Sequence, residues 1–184
     1  NSNYGGLTKN VRLHVVDDVY QTLPLYSNLK TTGVYIYAKD YDIKGRQATI
    51  CVESEVKNET DRPVTRRLEV AVNELDGAEV CGFASEEVTI PAHGTAILKA
   101  QCRAYNLHFW SWGYGYLYDV KTTVGADEVV TRTGFRKAEF KNGMVYLNDR
   151  VIMLHGYAQR TSNEWPGVGM SVPAWLSDYS NDLM

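Results

Sequence analysis

The 184-residue chain has only three cysteines, four histidines and five prolines, and each scarcity excludes something. Cys51, Cys81 and Cys102 form no C-x-x-C pair, and no His/Cys cluster has zinc-site spacing, so neither a metal nor a cofactor is expected. An odd count cannot pair fully within the chain. Cys51 and Cys102 sit in apolar, strand-like runs, where a free thiol behaves as a small hydrophobe. The histidines show no H-x-x-x-H spacing; His14 and His108 read as strand residues and His93 as a turn residue. There is no block of Lys and Arg, and the net charge of -3 lacks the basic footprint of a nucleic-acid surface. No apolar run approaches the ~20 residues that span a bilayer. Neither nucleic acid nor membrane is therefore expected as a partner. The opening residues, NSNYGGLTKN, lack the charged start and apolar run of a signal peptide and give no address.

What is present speaks mostly in period two. Ile50, Val52 and Val56 alternate with Cys51, Glu53, Glu55 and Lys57, and Leu68, Val70 and Val72 alternate with Arg67, Glu69 and Asn73. Such alternation marks half-buried antiparallel strands. Turn signals separate them: DIKG at 42–45, NETDRP at 58–63, Asp76–Gly77 and PAHG at 91–94. Many short strands with no amphipathic helix before residue 170 predict an immunoglobulin-like β-sandwich over residues 10–133. Asn58-Glu59-Thr60 fits a glycosylation acceptor pattern.

After Phe135 the texture changes. Asn142–Gly143 and Asn148–Asp149 are hairpin-type turns. Val151 to Leu154 is then a nearly unbroken apolar run, which predicts a strand buried on both faces. A polar, Gly-rich loop follows. From Pro173 a helix is expected, with Ser171 as its cap and Trp175, Tyr179 and Leu183 along one face. Strand, loop and helix make one βα unit.

The segment NLHFWSWGYGYLYDV, residues 106–120, is the most aromatic of the chain, and by itself it fits either sugar stacking or packing. Through Asn106, Phe109, Trp110, Ser111, Leu117 and Tyr118 it resembles a late-strand pattern of the immunoglobulin-like domain in glycoside hydrolase family 2, the β-galactosidase, β-glucuronidase and β-mannosidase group. Leu107 and Gly115 depart from it, standing where that family often has proline. Gly134, Phe135, Arg136, Leu147, Asn148 and Gly156 resemble the family's junction from sandwich to barrel, and Gly5, Gly6, Leu7 and Val11 its exit from an N-terminal jelly roll.

The resemblance implies an internal fragment of a β-galactosidase-like enzyme. Residues 1–9 would be the tail of the jelly roll, 10–133 the sandwich, and 134–184 a linker and the first βα unit of an incomplete (β/α)8 barrel. The parent enzyme is expected to hydrolyse β-glycosides, β-galactosides foremost, with retention, and to meet its carbohydrate substrate together with the missing jelly-roll and barrel domains of the same chain. Retention needs two carboxyl groups ~5–5.5 Å apart. Both family glutamates are expected beyond Met184, so the fragment alone is expected to be inactive. Gln159, Arg160, Asn163, Glu164 and Trp165 are the substrate-contact candidates, because planar polar groups suit hydroxyls and an aromatic face suits the C–H side of a sugar. Arg160 stands where β-galactosidases often have a histidine. A periplasmic or secreted location is compatible with the family. The alternative from another class is a stand-alone carbohydrate-binding or structural sandwich, with the aromatic run as the ligand face.

Overall fold

The computed structural model describes residues 11–156 together with Trp175, Asp178, Tyr179 and Asp182. The chain divides into two compact units, Val16–Met153 and a second that combines Asn1–Val15 with Leu154–Met184. In the second unit the four described residues after 156 are helical, in keeping with the helix expected from Pro173. Gln159, Arg160, Asn163, Glu164 and Trp165, the Ser171 cap, and Gly5, Gly6 and Leu7 of the jelly-roll motif lie outside the described residues.

The first unit holds all the named strands. In chain order these are β1 (Val19–Gln21), β2 (Val34–Asp42), β3 (Gln47–Asn58), β4 (Val64–Arg66), β5 (Glu69–Asn73), β6 (Glu79–Ala84), β7 (Val88–Ile90), β8 (Thr95–Ala104), β9 (Tyr118–Val124), β10 (Asp127–Thr133), β11 (Ala138–Lys141), β12 (Met144–Leu147) and β13 (Arg150–Ile152). A single helical turn, α1 (Tyr26–Leu29), interrupts them. In one sheet β3 is central, with β1 and β2 along one edge and β8 along the other; a second sheet runs β10-β9-β5-β6, and every pairing is antiparallel. This is the A-B-E against G-F-C-C′ order of an immunoglobulin-like sandwich. β4 and β7 pair separately at its side.

The inward residues are those that the alternation selects. Ala48, Ile50, Val52 and Val56 of β3 face Val70 and Val72 of β5 and Val120 and Val124 of β9 in one core cluster. Full burial of each such side chain is worth about 1.5–3 kcal/mol. Ser54 and Asn58 fall on the same inward side of β3, and both are buried. Ser54 donates to Gln21 Oε1 (3.0 Å), and Gln21 Nε2 donates to the Thr122 carbonyl (3.2 Å) and Asp127 Oδ2 (3.1 Å). Gln21 thereby ties β1 to both sheets with its polar atoms matched, the condition for burying an amide at little cost. Asn58 is the hub of the β3–β4 turn. Its amide donates to the carbonyls of Arg62, Ile90 and Pro91, and its Oδ1 accepts from the Thr60 N–H and hydroxyl. With no exposed surface, Asn58 cannot serve as a glycosylation acceptor in the folded protein.

Beyond the sandwich, β11, β12 and β13 form an antiparallel meander. Its two turns are the predicted ones, Asn142–Gly143 (φ 52° and 70°) and Asn148–Asp149 (φ 48° and 65°). Positive φ at both central residues is the type I′ geometry that matches strand twist. The strand expected over Val151–Leu154 is corrected in two respects. The strand spans Arg150–Ile152, and Val151, Met153 and Leu154 are exposed. The Asn148–Asp149 turn folds this segment back on β12, so one edge of β13 is paired, Ile152 is half-buried and Val151 is exposed.

All three cysteines are free. Burial, and then Cys102 beside it, push the Cys81 thiol up to about 11 from an ordinary 9.0. A group whose folded pKa is raised adds stability that is complete below the unfolded value and is lost as pH rises through the folded one. Urea midpoints are therefore expected to hold steady up to about pH 9 and to fall between there and pH 11. Cys81→Ala should flatten part of that decline.

Candidate functional site

Two of the segments that carry the family resemblance, the aromatic run and the junction as far as Asn148, meet in space around Trp110. Its N–H donates to the Phe135 carbonyl (2.8 Å), its own carbonyl accepts from Asn148 Nδ2 (3.0 Å), and the Arg136 guanidinium lies over its ring at 5.4 Å. Asn148 also accepts from the Lys137 N–H through Oδ1 (3.0 Å) and donates its own N–H to the Lys137 carbonyl (2.8 Å). One asparagine thus fixes the meander to the sandwich and to the 134–137 connection that leads into it. Gly156 falls outside this unit.

Gly134 is required here by crowding. A Cβ would stand 2.9 Å from the Tyr116 carbonyl and 3.0 Å from Trp110 Cβ. Gly134→Ala is expected to cost about 1–3 kcal/mol through this overpacking. A fall in the urea midpoint with an unchanged m-value would report it. Phe135 is buried and packs on Tyr118 with ring centroids 5.5 Å apart.

The aromatic segment divides along its length. Leu107, Phe109 and Tyr118 are core residues. The Tyr118 hydroxyl accepts from the His108 N–H at 2.7 Å and donates to the His108 carbonyl at 3.4 Å, a tyrosine corner at the start of β9. Burial raises that phenol to about 12. His108, expected in a strand, instead lies in the β8–β9 connection. Arg46 holds the connection from the β2–β3 turn, donating to the carbonyls of Asn106 (2.7 Å) and Leu107 (3.0 Å). Its Nη2 also lies 2.7 Å from His108 Nε2, and a guanidinium can only donate. Nε2 therefore accepts, and Nδ1 carries the hydrogen toward the Tyr114 hydroxyl 2.7 Å away. His108 stacks on Tyr116 at 4.3 Å, and Tyr116 donates to Glu74 at 2.7 Å, the bond that chiefly raises this phenol to about 12. Trp112 and Tyr114 are the exposed aromatics of the run. Most of the segment is structural, with His108, Tyr114, Tyr116 and Tyr118 tied to one another and to Arg46 and Glu74.

No group of three or more His, Cys, Asp or Glu side chains suited to a metal occurs among the described residues.

The sandwich is thus fastened to its exit meander by Gly134, Arg136 and Asn148 around Trp110. The sequence pattern of glycosyl hydrolases family 2 matches residues 32–136, and the chain belongs to that family. It is 34% identical to a β-glucuronidase of Formosa agariphila over 98% of this chain and 19% of that protein. It is 26% identical to a β-galactosidase of Thermoanaerobacterium thermosulfurigenes over 98% of this chain and 24% of that one. Among solved structures, a family 2 β-glucuronidase superposes with a TM-score of 0.79 at 32% identity, over 91% of this chain and 18% of that one. Bacteroides uniformis β-glucuronidase 2 shares the fold, with a TM-score of 0.73 at 20% identity over 92% of this chain and 20% of that one. The chain thus spans about a fifth to a quarter of the relatives it matches.

Proposed function

We propose that the chain is the sandwich and junction of a retaining β-glycosidase, with the first βα unit of its barrel beginning after the meander. The observation that carries this is the meeting of Trp110, Gly134 to Arg136 and Asn148 at one joint in a family 2 chain. A catalytic barrel needs its strand ends held in fixed relation to its neighbours, since active sites of this architecture are built from the loops at those ends. The joint fixes the meander to the sandwich with four hydrogen bonds and a guanidinium stacked on Trp110. The two catalytic carboxyl groups belong to the part of the parent protein outside this chain. In this reading Gln159, Arg160, Asn163, Glu164 and Trp165, which follow the junction in sequence, supply substrate contacts.

The sugar is a β-galactoside or a β-glucuronide. The expectation from sequence was a galactoside, and the more similar of the two curated relatives is a β-glucuronidase. The test is to express the parent gene product and the 184-residue chain and to assay both on nitrophenyl β-galactoside and β-glucuronide. Hydrolysis of either by the long form alone supports the reading, and the ratio of kcat/KM values names the sugar. Failure of the long form on both, or activity of the short form, would overturn it.

A further inference from the structure

Away from the joint, the sandwich carries a cleft on the outer face of its β2-β3-β8 sheet. There the segment between β1 and β2 folds over the sheet and leaves an open cleft of about 420 Å³. That volume falls within the range of small-ligand sites. Its floor is Glu53 and Glu55 of β3 with Ile97 of β8, and its walls are Tyr35 of β2 and Tyr26 and Thr32 of the overlying segment. Tyr35 is 60% exposed, and Tyr37 next to it on the same face stands with its ring centroid 5.1 Å away.

The cleft is built in advance of any ligand. Thr22 N–H donates to the Glu55 carbonyl (2.9 Å), Glu55 N–H to the Gly33 carbonyl (3.1 Å), and Gly33 N–H to the Thr22 hydroxyl (3.1 Å). Gly33 has φ +66°, and a Cβ there would come within 2.7 Å of Pro24 N, so the wall closes only around a glycine. Glu55 accepts from the Thr22 hydroxyl (2.9 Å) through Oε1 and from the Thr32 hydroxyl (3.2 Å) through Oε2. Glu53 Oε1 accepts from Lys99 (3.1 Å) and Tyr37 (3.3 Å), while its Oε2 accepts nothing from the described residues. Preorganised acceptors of this kind reduce the ordering cost of binding.

We propose that this cleft is an accessory binding site for a neutral pyranose ring. A sugar presents an apolar C–H face, which suits the Tyr35 ring, and a rim of hydroxyl donors, which suits carboxylate acceptors. Two carboxylates against the one Lys99 ammonium leave the cleft net negative, so an acidic sugar is repelled. Selection here is for uncharged rings, whatever the parent enzyme cleaves.

Binding at this cleft needs no catalytic domain, so its test is separate from that of the proposed activity. Methyl β-D-galactopyranoside and, as the acidic control, methyl β-D-glucuronide are titrated into the 184-residue chain and followed by NMR shifts. The expected result is saturable shifts in β2, β3 and the 22–33 segment by the neutral glycoside, with a Kd on the order of 1 mM. The glucuronide should give none. Tyr35→Ala should weaken binding at least about tenfold, which corresponds to 1.4 kcal/mol, with an unchanged melting temperature. Glu53→Gln is the second variant should Tyr35→Ala fold poorly, and it should admit the glucuronide. No saturation by the neutral glycoside, shifts confined to another face, or indifference to both variants would overturn the proposal.

Discussion

Asn58→Ala is expected to remove roughly 3 kcal/mol from the unfolding free energy. The side chain is wholly buried and serves five partners, two of them the carbonyls of Ile90 and Pro91 on the far side of the turn. Alanine fills neither the volume nor the bonds, and it leaves the Ile90 carbonyl in a dry setting, where an unmatched acceptor costs about 1–3 kcal/mol. Asn58→Asp is a sharper probe. It retains the acceptor for Thr60 but turns a second oxygen toward carbonyls that need a donor. Its stability should recover in part as pH falls and the carboxyl gains a proton that it can donate. Urea unfolding at neutral and acidic pH measures both, and an Asn58→Ala loss below about 1 kcal/mol would show that the turn closes without its hub.

Phe135→Ala should be of similar or larger effect, about 3–5 kcal/mol, the usual range for emptying a buried aromatic site. Phe135 packs on Tyr118, and its carbonyl receives the Trp110 N–H, so the vacated space lies under the whole joint. Five residues later Phe140 is 81% exposed, and Phe140→Ser should change stability by no more than about 0.5 kcal/mol. The pair separates the two aromatic populations of the chain by burial alone. Paired thermal and urea melts decide it, and equal losses for the two variants would refute the burial assignment.

Much of the fold was legible because it is written in local code. The alternation around Ile50 and Val70 gave the inward faces of β3 and β5, and Asn142–Gly143 and Asn148–Asp149 gave both meander turns. The reading failed where partners are remote. NETDRP reads as a turn with a glycosylation acceptor pattern; nothing in those six letters shows that the carbonyls of Ile90 and Pro91, more than thirty residues on, will draw Asn58 inside. Gln21 was silent for the same reason, since its partners lie on β3, β9 and β10. Val151 to Leu154 misled because an unbroken apolar run specifies burial without naming the surface that supplies it. At the joint, motif resemblance named the right residues, and the structure supplied the reason that they belong together: Gly134 makes room for Trp110, and Asn148 holds its carbonyl. The substrate-contact residues from Gln159 to Trp165 fall beyond what the structure describes.

The meander also sets an order of events in time. Its strands pair across two-residue turns, as Lys141 with Met144 and Leu147 with Arg150, whereas β3 and β8 join residues about fifty apart, as Cys51 with Gln101. Hairpins of the first kind close in about 1–10 μs, while sheets dominated by distant pairings take milliseconds to seconds. The meander can therefore flicker into shape early, yet a small unsupported sheet is only marginally stable in water. It becomes permanent when the Trp110 carbonyl reaches Asn148, which waits on the slow closure of the sandwich. During biosynthesis the joint at Trp110 is thus fastened only once the sandwich has closed, however early the meander has paired.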